Sequence, residues 1–596
     1  MPNTRPYRLW VTVVPWLLLA AGVLLGVWWA WQRHAAFRTN IYDLGYYTQT
    51  LWNTARGRFF ATSLKPDIYL ADHFSPVMLL FVPFFRWLPD PRILLAAQAA
   101  AAGTAVIPAY LLLRRRDPAW APLLVVAFLF NPLLHQIIYW EFHEIVLAAP
   151  ALALALYGVQ AKQRRWLLLG AFLALLVRED MPVYVGLLAV YLLLFQAEWR
   201  REGALLLGIS AAWLLLVTGW IMPALGNGYS HGRRLADSLA GLDAFSRLWQ
   251  PDRRQAVVRL LAPLAGLPLL GWGTQILWLP AVLLMLTFAE SGVGTLSSWH
   301  VAPLLPLLWF GAAGVLAGWP RRARRAGLLL LLAASLLGYV LWSYAPGGGY
   351  DDGAPLRLTS RERIGQAIVA AVPPDVSVMA QSGLGAHLAA REQLWLFPWA
   401  DGAARPEWVL LDVQAANTYP LSRPDLAHQV TQWQIRPDYR LFWEQDGYFV
   451  FVYAPDAWPD NGRWLWDQGV TLRGYELAQA DADGRFRPVE ALRGGAPVRV
   501  DLYWQAAQPL PVNYSVSVRL LAPDGWVTAQ HDGWPGQGTL GTAVWQPGQL
   551  YRDTHYLELP PALPPELRLV VLLYEPIEGT PLPPAEGYEL TVIPAK

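Results

Sequence analysis

A chain of 596 residues is too long for one compact domain, and length alone points to roughly three or four units. Charged residues are 15% against roughly 25% in soluble proteins and apolar residues reach 55%, which excludes an ordinary soluble chain. A formal net charge of +2 argues against a nucleic-acid partner, and the lack of cysteine excludes disulfides, thiolate metal sites and cysteine nucleophiles. The redox compartment stays open.

The apolar bias lies in the first 345 residues, where apolar runs follow one another with basic clusters at their ends. Arg5 and Arg8 ahead of Leu9–Trp31 resemble the start of a secretion signal. That run is too long and has no small-residue cleavage site after it, so it reads as a retained anchor. A spanning helix needs about 20 apolar residues, and about eleven runs approach this. They are Trp10–Trp31, Arg92–Leu113, Trp120–Tyr139, Ile145–Ala161, Trp166–Val177, Pro182–Phe195, Gly203–Leu225, Val257–Leu270, Gln275–Phe288, Val301–Trp319 and Gly327–Tyr344. Val77–Leu88 is short and fits an interfacial or re-entrant helix better than a span.

With the N-terminus inside, this count places Arg114–Arg116, Lys162 with Arg164 and Arg165, Arg200–Arg201, and Arg321, Arg322, Arg324 and Arg325 all on the cytoplasmic side. The expectation is a multi-pass protein of the cell membrane. Its outer connections then hold Asp43, Asp72, His73, Glu141, His143, Glu144, Arg178, Glu179, Asp180, His231, Arg233, Arg234 and His300. Such groups beside apolar segments are costly, and their gathering on one face points to function.

After Pro346-Gly347-Gly348-Gly349 the composition turns to that of a soluble protein, and an odd number of spans places the rest outside the cytoplasm. The expected division is 1–345 for the membrane part, 346–456 for an α/β domain and 457–596 for a β-sandwich. The α/β reading rests on a helix over Arg361–Ala371, capped by Ser360 and stopped by Pro373-Pro374, and on strands at Val376–Ala380, Trp408–Asp412 and Tyr448–Tyr453. The sandwich reading rests on alternating runs at Val498–Leu502 and Tyr514–Leu520, a strand at Leu567–Tyr574, and a Pro523-Asp524-Gly525 turn.

Chemistry concentrates between Phe37 and Pro76. Asp43, in Tyr42-Asp43-Leu44-Gly45, reads as a general base for an acceptor hydroxyl or, equally, as a turn aspartate after the first span. Asp72-His73 and Glu141-x-His143-Glu144 carry ligand types of a divalent-cation site, with magnesium or manganese foremost. The alternative is an interfacial helix end whose charges meet water and headgroups. Arg178-Glu179-Asp180 interrupts an apolar stretch; facing a cavity, Arg178 would hold a phosphate and Glu179 and Asp180 would join the cation. Exposed, the three merely connect helices. Arg58, His231 and Trp52 complete the candidate substrate contacts, although a basic loop over an anionic leaflet and an aromatic belt would look alike.

Several of these motifs together carry a resemblance. Asp43-Leu44-Gly45 with Gln49, Leu51-Trp52-Asn53 and Gly57-Arg58-Phe59-Phe60, then Asp72-His73-Phe74-Ser75-Pro76, Glu141-Phe142-His143 and Arg178-Glu179-Asp180, occur in order. Over roughly residues 35–450 the chain resembles a family of bacterial and archaeal polytopic membrane proteins known as a domain of unknown function. That arrangement is in turn similar to the C-type (GT-C) glycosyltransferases, such as protein mannosyltransferases and aminoarabinose transferases. The terminal sandwich is similar to modules attached to membrane glycosyltransferases. The resemblance implies a GT-C-like helical fold and transfer of a sugar from a polyprenyl-phosphate donor to a glycan or protein acceptor on the outer face. It makes Asp43 the base, with a divalent cation among Asp72, His73, Glu141, His143, Glu144, Glu179 and Asp180. The other classes open are a transporter or flippase, which needs polar groups through the membrane depth, and a non-catalytic glycan-binding protein on a membrane anchor.

Overall fold

The computed structural model describes residues 11–226, 246–399, 405–455 and 458–596. Arg5, Arg8, His231, Arg233 and Arg234 lie outside the described residues. The chain divides into two compact units, Met1–Thr359 with Ala389–Glu392, and Ser360–Leu388 with Gln393–Lys596.

The first unit is a helical membrane region. Four helices are long and apolar enough to cross a bilayer: Val14–Ala35, Arg92–Arg114, Ala197–Leu225 and Arg321–Trp342. Their outward leucines and valines, such as Leu24 at 67% and Leu215 at 72% exposure, suit contact with lipid. Pro122–Leu129 and Pro132–Tyr139 make a fifth crossing only if taken as one element bent by 48°. The bend has a local cause. Pro132 has no N–H and disfavours helix at the residue before it, while the Asn131 side chain accepts from Leu133 N–H at 2.9 Å and starts a new helix.

Four further apolar helices are shorter: Pro76–Trp87, Glu144–Gln160, Met181–Phe195 and Leu304–Gly318. Helix length therefore identifies fewer crossings than the apolar runs did. The expected spans over Val257–Leu270 and Gln275–Phe288 show why. Pro263, Gly266, Pro268, Gly271 and Gly273 break that region into short turns, leaving only Pro251–Leu261 and Leu279–Thr287 as α-helices. Where short helices do pack, they pack closely. A Cβ on Gly170 would lie 2.4 Å from the Ala155 nitrogen, and one on Gly158 2.2 Å from that of Leu167. Small residues thus let Ala148–Gln160 and Arg164–Leu175 form a tight hairpin.

Polar contacts sort the loops to two ends. Arg115 donates to the Gln160 carbonyl (3.0 Å), Lys162 pairs with Glu198 (2.9 Å), Arg164 with Glu202 (2.7 Å), and Arg324 donates to the Arg116 carbonyl (3.0 Å). All four basic clusters therefore share one end. Tyr110 OH donates to the Val11 carbonyl there (2.9 Å), and Trp31 Nε1 to the Arg92 carbonyl at the opposite end (2.9 Å). The link after Ala35, which carries Asp43, leaves from that opposite end.

The second unit is β-rich. One five-stranded sheet runs Leu394–Leu396, Val378–Ala380, Trp408–Asp412, Tyr448–Tyr453, Tyr439–Gln445, its first three strands parallel and the rest antiparallel. Helix Arg423–Gln434 buries Leu426, Val430 and Trp433 against it. Two antiparallel sheets follow. One orders Val527–Gly533, Ser515–Leu521, Glu566–Tyr574, Tyr588–Pro594, and the other Leu550–Leu557, Val498–Ala506, Val470–Ala480, Trp464–Leu465. They enclose a core that includes Trp466, Trp504 and Trp545. The Pro523-Asp524-Gly525 turn is present, with Gly525 at φ +88°. Arg552, 1% exposed, reaches out of its strand to the carbonyls of Trp433 (3.2 Å), Gln434 and Tyr439 (2.9 Å), satisfying the end of helix Arg423–Gln434.

Candidate functional site

Three links of the helical unit meet a fourth segment around a cavity of about 310 Å³. The first, after helix Val14–Ala35, winds through a π-type turn at Ile41–Gly45 into helix Tyr46–Thr54 and carries Asp43. The second, Trp140–His143, is extended and follows the bent helix pair. Gln98, buried in the helix opposite, holds that link in place. Its Nε2 donates to the carbonyls of Ile137 (2.7 Å) and Glu141 (3.0 Å), and its Oε1 accepts from the His143 N–H (2.9 Å). The third is Val177–Asp180 and the fourth Phe288–His300. Lys65 and His73, from the loop after helix Tyr46–Thr54, reach the same cavity.

The acid–base core is Asp43 with His143, Oδ1 to Nε2 at 3.2 Å. His143 Nδ1 lies 2.8 Å from the Glu141 carbonyl, which only accepts, so Nδ1 carries a proton. One further proton lies between Nε2 and Asp43. Burial alone would raise the Asp43 pKa; the hydrogen bond and charge of His143, the Glu141 hydrogen bond and the charge of Lys65 hold it below the usual carboxylate value. Glu141 goes the other way, pushed well above the usual range by burial and by the Asp43 charge. Asn40 donates to its Oε1 at 2.8 Å, whereas Oε2 is buried and meets no donor. Two facing carboxylates make no hydrogen bond unless one is protonated. A proton on Glu141 shared with Asp43 resolves both observations.

The remaining charges pair off. His73 Nδ1 stands 3.2 Å from Glu179 Oε1, and Phe74 N–H donates to Glu179 Oε2 at 3.0 Å. Burial would lower the His73 pKa, but the Glu179 and Glu144 charges override it and raise it. Arg178 binds both oxygens of Asp180 and lies 3.8 Å from Glu144, which also accepts from Tyr47 OH. Lys65 donates to Asp72 and sits over the Tyr46 ring at 4.4 Å.

A family described as "Predicted membrane protein (DUF2079)" matches residues 33–450. The chain belongs to this family. Among solved structures it is similar to that of ArnT from Cupriavidus metallidurans bound to undecaprenyl phosphate, at 14% identity and a TM-score of 0.49, over 75% of this chain and 100% of that one. No curated protein matches.

In this DUF2079 member the cavity gathers Asp43, His73, His143, Arg178, Glu179, Asp180 and His300 from the expected set. Trp52 and Arg58 are not in its lining. They form a separate stack in which the Arg56 and Arg58 guanidiniums lie 4.1 and 5.2 Å from the Trp52 ring. His231 lies outside the described residues. The seven expected metal ligands are engaged with other groups, and no three Asp, Glu or His among the described residues converge on one ion. As arranged, they do not fit a single divalent cation, and no step below runs through one. Among the contributors missed are Lys65, which belongs to no motif; Trp299, one of 32 tryptophans; Val183, Tyr184 and Glu290; and the apolar residues Ala281, Leu284, Met285, Phe288 and Val293. An interrupted apolar run between Leu261 and Leu279 was the available signal for those apolar residues.

Proposed function

We propose that this protein is an integral-membrane glycosyltransferase of GT-C type that moves a sugar from a polyprenyl-phosphate donor to a hydroxyl of a glycan or protein acceptor. The observation that carries the reading is the mixed lining of one cavity. Asp43, Lys65, His73 and His143 line it together with Ala281, Leu284, Met285, Phe288 and Val293. A ligand with an anionic head and a hydrocarbon tail matches both kinds of lining, whereas a wholly polar ligand would leave the apolar residues wet. The basic clusters at the opposite end support an outer-face cavity by the positive-inside bias.

In this reading Asp43, kept ionised beside His143, takes the acceptor's proton as the acceptor oxygen attacks the anomeric carbon. The new C–O bond forms as the bond to the phosphate oxygen breaks, and the phosphate leaves with that electron pair. Lys65 meets the departing charge. Arg178 is less suited, because Asp180 already occupies its guanidinium. The proton passes from the Asp43–His143 pair to water with product.

The test is Asp43→Asn in reconstituted full-length protein, with undecaprenyl-phosphate-linked sugars as donors. Transfer should fall by about 10²–10⁴-fold while insertion and yield are unchanged. Full activity in the Asn variant would sink the base assignment.

A further inference from the structure

Trp299 belongs to no motif in the sequence, yet it is the residue that most restricts His143. Its indole lies flat on the imidazole, with ring centroids 3.5 Å apart and 13° between planes. The other directions are also taken: Nδ1 by the Glu141 carbonyl, Nε2 by Asp43, and one edge by the Tyr47 ring at 5.8 Å. Two hydrogen bonds alone define a line about which an imidazole can rock. The stacked face is what fixes its plane.

The indole is itself held. Trp140 packs edge-on against it at 5.4 Å and donates from Nε1 to the Ser297 carbonyl at 2.8 Å. Gln136 Nε2 donates to the carbonyls of Leu296 (2.9 Å) and Ser298 (3.0 Å). Leu296–Trp299 is therefore fastened to the end of helix Pro132–Tyr139. Trp299 also lines the cavity, as does Asp43.

We propose that Trp299 is a positioning residue whose indole holds the His143 ring in line with Asp43, so that a ligand in the cavity touches the device that aligns the base. Its catalytic consequence rests on the reading of Asp43 as base; the alignment itself does not. A space-filling tryptophan would make the same packing contacts without setting the imidazole.

The experiment uses the full chain in lipid nanodiscs with Trp299→Ala and Trp299→Phe. Carbethoxylation of His143 by diethyl pyrocarbonate is followed by mass spectrometry, with the exposed His428 as internal reference. His143 should react about tenfold faster in the Ala variant and within about twofold of wild type in the Phe variant, the range a lost aromatic stack covers. His428 should not change. In the transfer assay kcat should fall about tenfold in the Ala variant and recover in the Phe variant, with KM within about threefold. Unchanged His143 reactivity in the Ala variant overturns the proposal, as does an equal rise at His143 and His428. If wild type transfers no sugar, the function proposed above fails while the reactivity ratio still decides the positioning role.

Discussion

Replacing Glu141 by glutamine should cost this protein little, and replacing it by alanine should cost it much. Glu141 is 5% exposed, accepts from Asn40 at 2.8 Å, has a second oxygen that meets no donor, and lies close enough to Asp43 to feel its charge. A neutral acid satisfies that geometry, and a glutamine amide reproduces it, donating to Asp43 and accepting from Asn40. Alanine removes the acceptor of the Asn40 Nδ2 hydrogen bond and opens a cavity, worth about 2–4 kcal/mol together. The glutamine variant should stay within about 1 kcal/mol and keep transfer within about threefold of wild type.

The pH dependence separates this from a metal-ligand role. The folded-state pKa of Glu141 is raised above its unfolded value. The stability gained from holding the proton is therefore fully present below the unfolded pKa of about 4.3 and is lost as pH rises through the folded value, by up to about 1.4 kcal/mol per unit. Glutamine has no proton to lose. Melting temperatures in nanodiscs between about pH 5 and 8 should show Glu141→Gln gaining on wild type as pH rises. A difference that is flat with pH, or a Gln variant as unstable as the Ala variant, would refute the shared proton.

Two other outcomes follow from the geometry. Lys65→Met should raise KM for a polyprenyl-phosphate donor by about 10–100-fold with a smaller change in kcat, read by steady-state kinetics; an unchanged KM removes Lys65 from the phosphate. Arg552→Met should destabilise the β-rich unit by about 2–4 kcal/mol, seen as faster hydrogen exchange in Arg423–Gln434, because three carbonyls lose their donor.

Much of the site was legible because costly residues stand out against an apolar background. Asp43, His73, His143 and Glu179 lie beside or within apolar runs, and all four reach one cavity. Trp299 was not legible: the stack that gives it meaning joins positions 156 residues apart (299 − 143), and nothing local marks it among 32 tryptophans. Lys65 is an ordinary loop lysine until Asp72 and Tyr46 are folded round it. The apolar-run count and the helix count part for a different reason. Hydropathy counts apolar residues, whereas Pro263, Gly266 and Pro268 decide whether they form one helix. In the β-rich unit, alternation was enough to place strands such as Val498–Ala506 and Glu566–Tyr574, since half-buried sheets write a period of two into the chain.

The charge pairing round the cavity explains why Glu141 alone should hold a proton and why Lys65 is the cation free to act. Besides the exposed Glu290, six acids stand there: Asp43, Asp72, Glu141, Glu144, Glu179 and Asp180. Five have a basic partner, Asp43 in His143, Asp72 in Lys65, Glu179 in His73, and Glu144 and Asp180 in Arg178. Glu141 has an amide instead of an ion-pair partner, and burial with the Asp43 charge outweighs the more distant Arg33 and favours its neutral form. Of the cations, Arg178 has only 6% of its side chain exposed and serves two acids, so releasing it would orphan both. Lys65 has 36% exposed and serves one acid, and His73 Nε2 already stands 3.8 Å from the same Asp72 oxygen. An arriving phosphate can therefore take Lys65 from Asp72 without stranding a charge. The exchange leaves His73 between Asp72 and Glu179, where a second carboxylate that has lost its lysine strengthens the case for a protonated ring.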